Sequence, residues 1–150
     1  MGKRVVITCW GSHGDLFPYI GLALALKARG HRPVVATSPG YRVEVEREGI
    51  EFAVAGPTVD GTDLDLFKRV MDPYKGSEVI VAELLMPKLR ETYDELTAAV
   101  AGADLLVAHP ITFAAPLVAE RQRLPWLSTV LAPLSFFSPT IRPCCRRRRG

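Results

Sequence analysis

The sequence lacks the features that mark several common classes of protein. Its 150 residues include only three cysteines, Cys9, Cys144 and Cys145, which are too few for a disulfide framework. No Cys-x-x-Cys or Cys/His spacing predicts a zinc site, so we expect no bound metal. No apolar run approaches the length of a membrane span, and the short apolar start lacks a signal-peptide cleavage site. These absences predict a cytoplasmic protein without a transmembrane segment.

The positive net charge is concentrated at one end of the chain. Removing the four arginines Arg146 to Arg149 changes the formal net charge from +3 to −1. The remaining body is near neutral, so its composition predicts no nucleic-acid partner. With 48% apolar and 23% charged residues, the chain has the composition of a globular protein. A chain of this length can bury a core without disulfides or metal.

Strand and helix patterns alternate along the chain. Strands are predicted at 3–10, 33–37, 50–54, 104–109 and 125–131, and helices at 18–29, 40–48, 77–100 and 112–122. Pro87 is expected to kink the third helix, and residues 55–76 are predicted to form a long connection. The order predicts an α/β fold, a Rossmann-like parallel sheet with helices on both faces. Such sheets bind ligands at the carboxyl ends of their strands.

One loop carries most of the chemistry that the sequence offers. Gly11-Ser12-His13-Gly14-Asp15-Leu16-Phe17-Pro18 joins the first strand to the first helix. Its two glycines let the backbone approach a ligand, and the helix N-terminus offers free N–H groups. A role as N-cap of a helix that starts at Pro18 would by itself explain Asp15. The loop lacks the third glycine of a dinucleotide fingerprint and the Gly-Lys-Ser/Thr of a Walker A loop.

Two segments resemble a known family. VVITCWGSHGDLFPYIGLALALKARGHRPVVATSPGYRVEVEREGIEFAVAG is similar to the start of GT-B-fold glycosyltransferases, above all the glycosyltransferase family 28 N-terminal domain. That group includes sterol glucosyltransferase-like, rhamnosyltransferase-like and antibiotic glycosyltransferase-like enzymes. The similarity resumes at ADLLVAHPITFAAPLVAERQRLPWLSTVLAPLSFFSP. It implies an N-terminal, acceptor-binding domain over 1–139, an atypical Arg/Cys-rich tail at 140–150 that we expect to be disordered, and a missing donor-binding domain, as in a truncated enzyme.

The resemblance also implies an activity. Relatives transfer a hexose, with inversion, from a nucleotide-sugar to a hydroxyl of a lipid, sterol or natural-product acceptor. The nucleotide-sugar is a co-substrate held mainly by the second lobe, and no cofactor is implied. The expected partners are therefore the small-molecule or lipid acceptor, the nucleotide-sugar and a donor lobe in cis or in trans, with peripheral membrane contact left open. The 150-residue chain alone is expected to be inactive or nearly so, because half a cleft can neither position the donor nor exclude water.

Two other functions remain open on the sequence. The chain could be a non-catalytic module that binds an acceptor or a partner subunit. It could also be a stand-alone nucleotide-binding α/β protein, although its second strand ends in Thr37-Ser38-Pro39 without an acidic residue.

Three titratable residues are catalytic candidates. The family's base is a His three residues before the Pro that follows the loop, and the branch with a Gly-x-x-Gly-Asp loop has Asp there, which in this sequence is Asp15. The resemblance therefore implies Asp15 as base or as orienter of the acceptor hydroxyl, with His13 as the second choice. His109, at the end of the fourth strand, would form a reversed pair with Asp15; a hydrogen bond from His109 to a loop carbonyl is the alternative.

The expected acceptor-binding residues follow the same loops: Gly11, Ser12, Gly14, Phe17, Pro110 and Phe136. Core packing is the alternative for the aromatic residues. A free Asp is a weak base near neutral pH, and apolar surroundings raise the pKa of a carboxyl group. Trp10, Phe17 and Tyr19 are expected to provide those surroundings.

Overall fold

Five parallel strands form the centre of the part of the chain that the structure describes. The computed structural model describes residues 2–59 and 62–131. Within them the sheet order is β3-β2-β1-β4-β5, with the strands at β1 Arg4–Thr8, β2 Arg32–Thr37, β3 Glu51–Val54, β4 Leu105–Ala108 and β5 Trp126–Ser128. The predicted Rossmann-like α/β fold is confirmed. Phe136, the domain boundary at 139 and the tail at 140–150 lie outside the described residues.

Helices connect the strands: α1 His13–Ala28, α2 Arg42–Arg47, α3 Leu64–Val70, α4 Gly76–Val79, α5 Leu89–Ala99 and α6 Ala114–Gln122. Between α4 and α5 the backbone passes through wide π-type turns at Ile80–Leu85 and a tight 3₁₀ turn at Met86–Lys88. Pro87 has no N–H to donate to the preceding turn, and its ring crowds the carbonyl four residues earlier, which disfavours a regular helix there. The predicted interruption of the helix at Pro87 is confirmed. None of the helices in the described part is long and apolar enough to cross a bilayer.

Helix α1 begins five residues earlier than the sequence predicted. Ser12 is its N-cap, and Asp15 lies in its first turn. Pro18 was expected at the start of the helix, but it lies inside it, where it removes the bond to the carbonyl of Gly14. Gly14 is exposed, so water can satisfy that carbonyl. The prediction that Asp15 precedes the helix, and could be its N-cap, is therefore wrong.

The sheet separates two cores, because side chains alternate between its faces along each strand. Val5 and Ile7 of β1 pack with Leu16 and Ile20 of α1. Val6 packs on the other face, with α5 and α6. These layers fix the positions of the loops at the carboxyl ends of the strands.

The predicted connection at 55–76 contains the short helix α3. Asp63 caps it: its Oδ1 accepts a hydrogen bond of 2.9 Å from the backbone N–H of Leu66. This part of the prediction was incomplete, since an Asp N-cap followed by apolar residues at helical spacing was present in the sequence.

Candidate functional site

The topology places the predicted site residues together. The chain runs from β1 outward to β2 and β3, and then returns to place β4 on the other side of β1. The point between β1 and β4 is therefore the switch point of the sheet, where parallel α/β proteins bind their ligands. The loop that follows β1 carries Gly11 to Asp15, and the loop that follows β4 begins with His109.

The Asp15 carboxylate is bound by its own loop. Its Oδ2 accepts hydrogen bonds from the backbone N–H of Ser12 at 2.8 Å and from the Ser12 hydroxyl at 3.0 Å. Gly11, with φ of +140°, makes room for it: a Cβ at position 11 would lie 2.3 Å from Oδ2. The side chain of Asp15 is 35% exposed. The loop thus fixes one carboxylate oxygen and leaves the group open to solvent.

His109 faces the other oxygen of Asp15. Its Nε2 lies 3.9 Å from Asp15 Oδ1, and its side chain is only 11% exposed. Burial lowers the pKa of His109 below its ordinary value of 6.5, and the negative charge of Asp15 opposes that shift. The imidazole is therefore largely neutral near neutral pH. The alternative of a hydrogen bond from the ring to a loop carbonyl is not observed within residues 2–59 and 62–131, where Nδ1 is buried without a partner.

Three segments of the chain contribute to the surroundings of His109: α1, the end of β4 and the residue after β5. Tyr19 of α1 places its ring 5.9 Å from the imidazole, nearly perpendicular to it at 84°. The Tyr19 hydroxyl lies 2.8 Å from Thr129 Oγ1, and Thr129 Oγ1 donates to the carbonyl of Ala108 at 3.0 Å. Sequence reasoning placed Tyr19 in the apolar wall near Asp15. Its spacing of four residues from Asp15 on a helix is the signal that puts both side chains on one face.

His13 lies on the outer side of the loop. Its side chain is 58% exposed, and its Nε2 lies 3.7 Å from Glu44 Oε1. Its ring contacts Phe17 and Tyr41, with centroids 5.5 Å and 5.0 Å away. The Tyr41 hydroxyl donates to the carbonyl of Gly11 at 2.9 Å, a contact that the sequence did not predict. The structure therefore joins Asp15 to His109 and gives His13 a different set of neighbours.

An apolar cavity adjoins these loops. It is small, with a volume of about 20 Å³, and opens between the ends of β1, β3 and β4. Trp10, Leu85, Leu89 and Phe113 are among the residues that line it. The Trp10 N–H donates to the carbonyl of Pro57 at 2.9 Å, which holds the indole at the wall. The cavity shares Thr112 with the His109 loop, since the Thr112 hydroxyl donates to the carbonyl of His109 at 2.5 Å.

The remaining predicted residues lie around this edge. Ser12 and Gly14 are exposed in the loop, and Pro110 is half-buried next to His109. Phe17, expected to shield Asp15, is 57% exposed. Cys9 is buried under the loop, and burial raises the pKa of its thiol to about 12, which keeps it protonated and unreactive. In the described residues no group of three or more His, Cys, Asp or Glu side chains could hold a metal ion.

The fold and the site define a parallel α/β lobe that presents a carboxylate, a neutral histidine and an apolar cavity at one edge of its sheet. The chain belongs to a known family with that architecture. The model of the glycosyltransferase family 28 N-terminal domain matches residues 5–135.

Curated relatives agree with the family. A sterol 3-beta-glucosyltransferase of Penicillium rubens is 31% identical over an alignment that covers 91% of this chain and 11% of the fungal protein. A sterol 3-beta-glucosyltransferase of Aspergillus clavatus is 33% identical, with 86% of this chain and 9% of that protein covered. The chain thus spans about a tenth of the length of these relatives.

Solved structures share the fold. The calicheamicin glycosyltransferase CalG4 aligns with a TM-score of 0.63 at 20% identity, over 91% of this chain and 33% of that one. The glycosyltransferase SnogD from Streptomyces nogalater aligns with a TM-score of 0.63 at 24% identity, over 86% of this chain and 34% of that one. In both cases this chain corresponds to about one third of a longer glycosyltransferase.

Proposed function

We propose that the chain is the acceptor-binding half of an inverting glycosyltransferase, which moves a hexose from a nucleotide-sugar to a hydroxyl of a lipid, sterol or natural product. The supporting observation is the placement of Asp15 and His109, 3.9 Å apart at the switch point of the sheet. The names of the fungal relatives favour a sterol among these acceptors.

In the proposed reaction Asp15 is the general base. The acceptor oxygen attacks the anomeric carbon of the sugar while the bond from that carbon to the nucleotide phosphate breaks. The hydroxyl proton passes to Asp15, and the nucleotide leaves with the bonding electrons. Direct displacement of this kind inverts the anomeric configuration without a covalent intermediate.

The geometry supports Oδ1 as the proton acceptor. Ser12 occupies Oδ2 with two hydrogen bonds, so Oδ1 is the oxygen that faces the edge of the sheet and His109. His109 is less accessible to an acceptor than Asp15, with 11% against 35% of its side chain exposed. We therefore assign proton acceptance to Asp15 and contact with the carboxylate to His109. The apolar side chains around Trp10 and Phe113 would contact the non-polar body of the acceptor.

The proposal includes partners that the chain itself does not supply. A donor-binding lobe, in cis or in trans, would hold the nucleotide-sugar across the cleft. Exposed apolar side chains on α3, Leu64 and Phe67, support peripheral contact with a membrane that contains the acceptor. We also propose a cytoplasmic location, which subcellular fractionation of the tagged chain can test.

Transfer assays test the proposal. The chain is fused to the donor lobe of one of the sterol 3-beta-glucosyltransferases and supplied with UDP-glucose and a sterol. We expect transfer by the fusion, a fall of about 100-fold or more in rate for Asp15→Asn, and little change for Asp94→Asn. Asp94 is a matched control because it lies on α5 in an exposed ion pair with Arg90.

Each other outcome has a defined meaning. Full activity of Asp15→Asn would remove Asp15 as the base. A folded fusion that binds sterol but transfers no sugar would favour the non-catalytic acceptor-binding module. Transfer by the 150-residue chain without any donor lobe would contradict the expectation that half a cleft is inactive.

A further inference from the structure

The backbone of His109 is held firmly on both sides. Its N–H donates to the carbonyl of Thr8 at 2.9 Å, and its carbonyl accepts from the N–H of Thr112 at 3.0 Å. Among the residues that the structure describes, its ring has no hydrogen-bond restraint: Nδ1 is buried without a partner, and the 3.9 Å from Nε2 to Asp15 Oδ1 is too long for a hydrogen bond. Within this part of the chain, packing is what orients the imidazole.

Tyr19 supplies that packing. It lies one helical turn after Asp15 on α1, so the carboxylate and the phenol ring project from the same face of the helix. The ring meets the imidazole edge to face, with centroids 5.9 Å apart. Tyr19 itself is 2% exposed. Among the residues that the structure describes, the titratable groups that face the His109 ring are thus Asp15 and Tyr19, both on α1.

The Tyr19 ring is anchored at its far end. The Tyr19 hydroxyl lies 2.8 Å from Thr129 Oγ1, and either oxygen can be the donor in that hydrogen bond. Thr129 Oγ1 also lies 3.0 Å from the carbonyl oxygen of Ala108. The same Ala108 carbonyl accepts from the backbone N–H of Thr129 at 2.9 Å. Through these bonds Tyr19 connects α1 to Thr129, which follows β5, and to Ala108, the last residue of β4. Ala108 directly precedes His109 in the chain.

We infer that Tyr19 is a positioning residue for the Asp15–His109 pair: its ring shields and orients the His109 imidazole, and its hydroxyl holds the ring in place. The catalytic meaning of this inference rests on the proposed function, because His109 contacts the proposed base. The packing of the Tyr19 ring on the His109 imidazole does not rest on the proposed function, and it can be measured without sugar transfer.

The test is an NMR titration of imidazole protons in the 150-residue chain. His13, His31 and His109 are the three histidines, and single His→Gln variants assign their signals. Tyr19→Leu is expected to shift the pKa of His109 upward, toward 6.5, because loss of the ring admits water to a buried imidazole. Tyr19→Phe keeps the ring but removes its anchor, so it is expected to shift the pKa of His109 in the same direction but less than Tyr19→Leu does.

Tyr93→Leu is the matched control. Tyr93 packs partly buried in the core on the opposite face of the sheet, so its loss removes a similar ring without touching His109. The pKa of His109 is expected to be unchanged in that variant.

Three results would overturn the inference. The first is an unchanged His109 pKa in folded Tyr19→Leu. The second is an equal shift in the Phe and Leu variants, which would assign the effect to the hydroxyl. The third is an absence of nuclear Overhauser contacts between the Tyr19 ring protons and the His109 imidazole protons in the original chain. This measurement does not depend on whether Tyr19→Leu folds. Since no sugar transfer enters these measurements, their failure is distinct from failure of the proposed function.

Discussion

Gly11 and Asp15 depend on each other. Gly11 adopts φ of +140°, a region that side chains other than glycine rarely enter. The space where its Cβ would lie is filled by the Asp15 carboxylate, at 2.3 Å from Oδ2. The carboxylate in turn caps the start of α1 through the N–H of Ser12. A change at position 11 therefore acts on both the backbone and the proposed base.

We predict that Gly11→Ala destabilises the chain by about 1–3 kcal/mol, because the backbone is strained and the carboxylate must move. Denaturant unfolding measures the effect. Gly21→Ala is the matched control: it lies exposed within α1 with no atom within 4 Å of a new Cβ. That change should stabilise the chain by about 0.5–1 kcal/mol. Equal stability of the two variants would mean that the carboxylate does not occupy the space beside Gly11.

The positions of the site residues in the fold could be predicted from the sequence, whereas their contacts could not. Asp15 lies in the loop after the first predicted strand and His109 ends the fourth, and the order of the elements was enough to place them at one edge of the sheet. The start of α1 was predicted wrongly because Pro18 suggested a first turn, whereas the helix accommodates it inside by exposing the Gly14 carbonyl. The role of Tyr19 depends on contacts with Thr129, which is 110 residues away, and no local pattern encodes such a contact.

Among the helices, α5 carries the packing against the face of the sheet opposite α1. Leu96 is fully buried there, with Val100 and the α6 residues Val118 and Ala119 in the same cluster. The apolar spacing of Leu89, Tyr93, Leu96 and Val100 in the sequence predicts an amphipathic helix, and these side chains are buried or half-buried in the structure. By contrast, α3 was missed because it is only seven residues long and is flanked by breakers such as Asp72-Pro73, although its N-cap Asp63 was a local signal for it.

We predict that Leu96→Ala lowers the free energy of unfolding by about 2–5 kcal/mol, since it leaves a cavity between α5 and the sheet. Leu117→Ala is the matched control, because Leu117 of α6 is 49% exposed and its truncation should cost less than about 1 kcal/mol. Thermal or urea unfolding of both variants measures the difference. Similar losses in the two variants would contradict the burial of α5 on this face.

The stability of the whole chain should depend on pH through His109. Its pKa is lower in the folded chain than its ordinary value of 6.5, because burial disfavours the charged imidazole. The unfolded chain therefore binds a proton more readily than the folded chain once the pH falls below about 6.5. Stability rises with pH across this window and is lost as the solution becomes more acidic.

Asp104 acts in a separate, more acidic window. Its pKa is lowered from 3.8, first by the hydrogen bond that it accepts from the backbone N–H of Arg4 and then by the one from the Lys3 ammonium group. The stability that Asp104 contributes is present above about pH 3.8 and is lost below it. The two groups can therefore be separated by titration of the same chain.

We predict that the urea concentration at the midpoint of unfolding decreases as the pH is lowered from about 7 to about 5. The His109→Gln variant is expected to lose most of this pH dependence. His31→Gln is the control, since His31 lies at the amino ends of the strands, away from Asp15. There its Nδ1 accepts a hydrogen bond from the exposed backbone N–H of Lys3 at 3.2 Å. A slope that survives in His109→Gln but disappears in His31→Gln would show that the imidazole beside Asp15 is not held neutral. The assignment of His109 as a neutral imidazole would then be wrong.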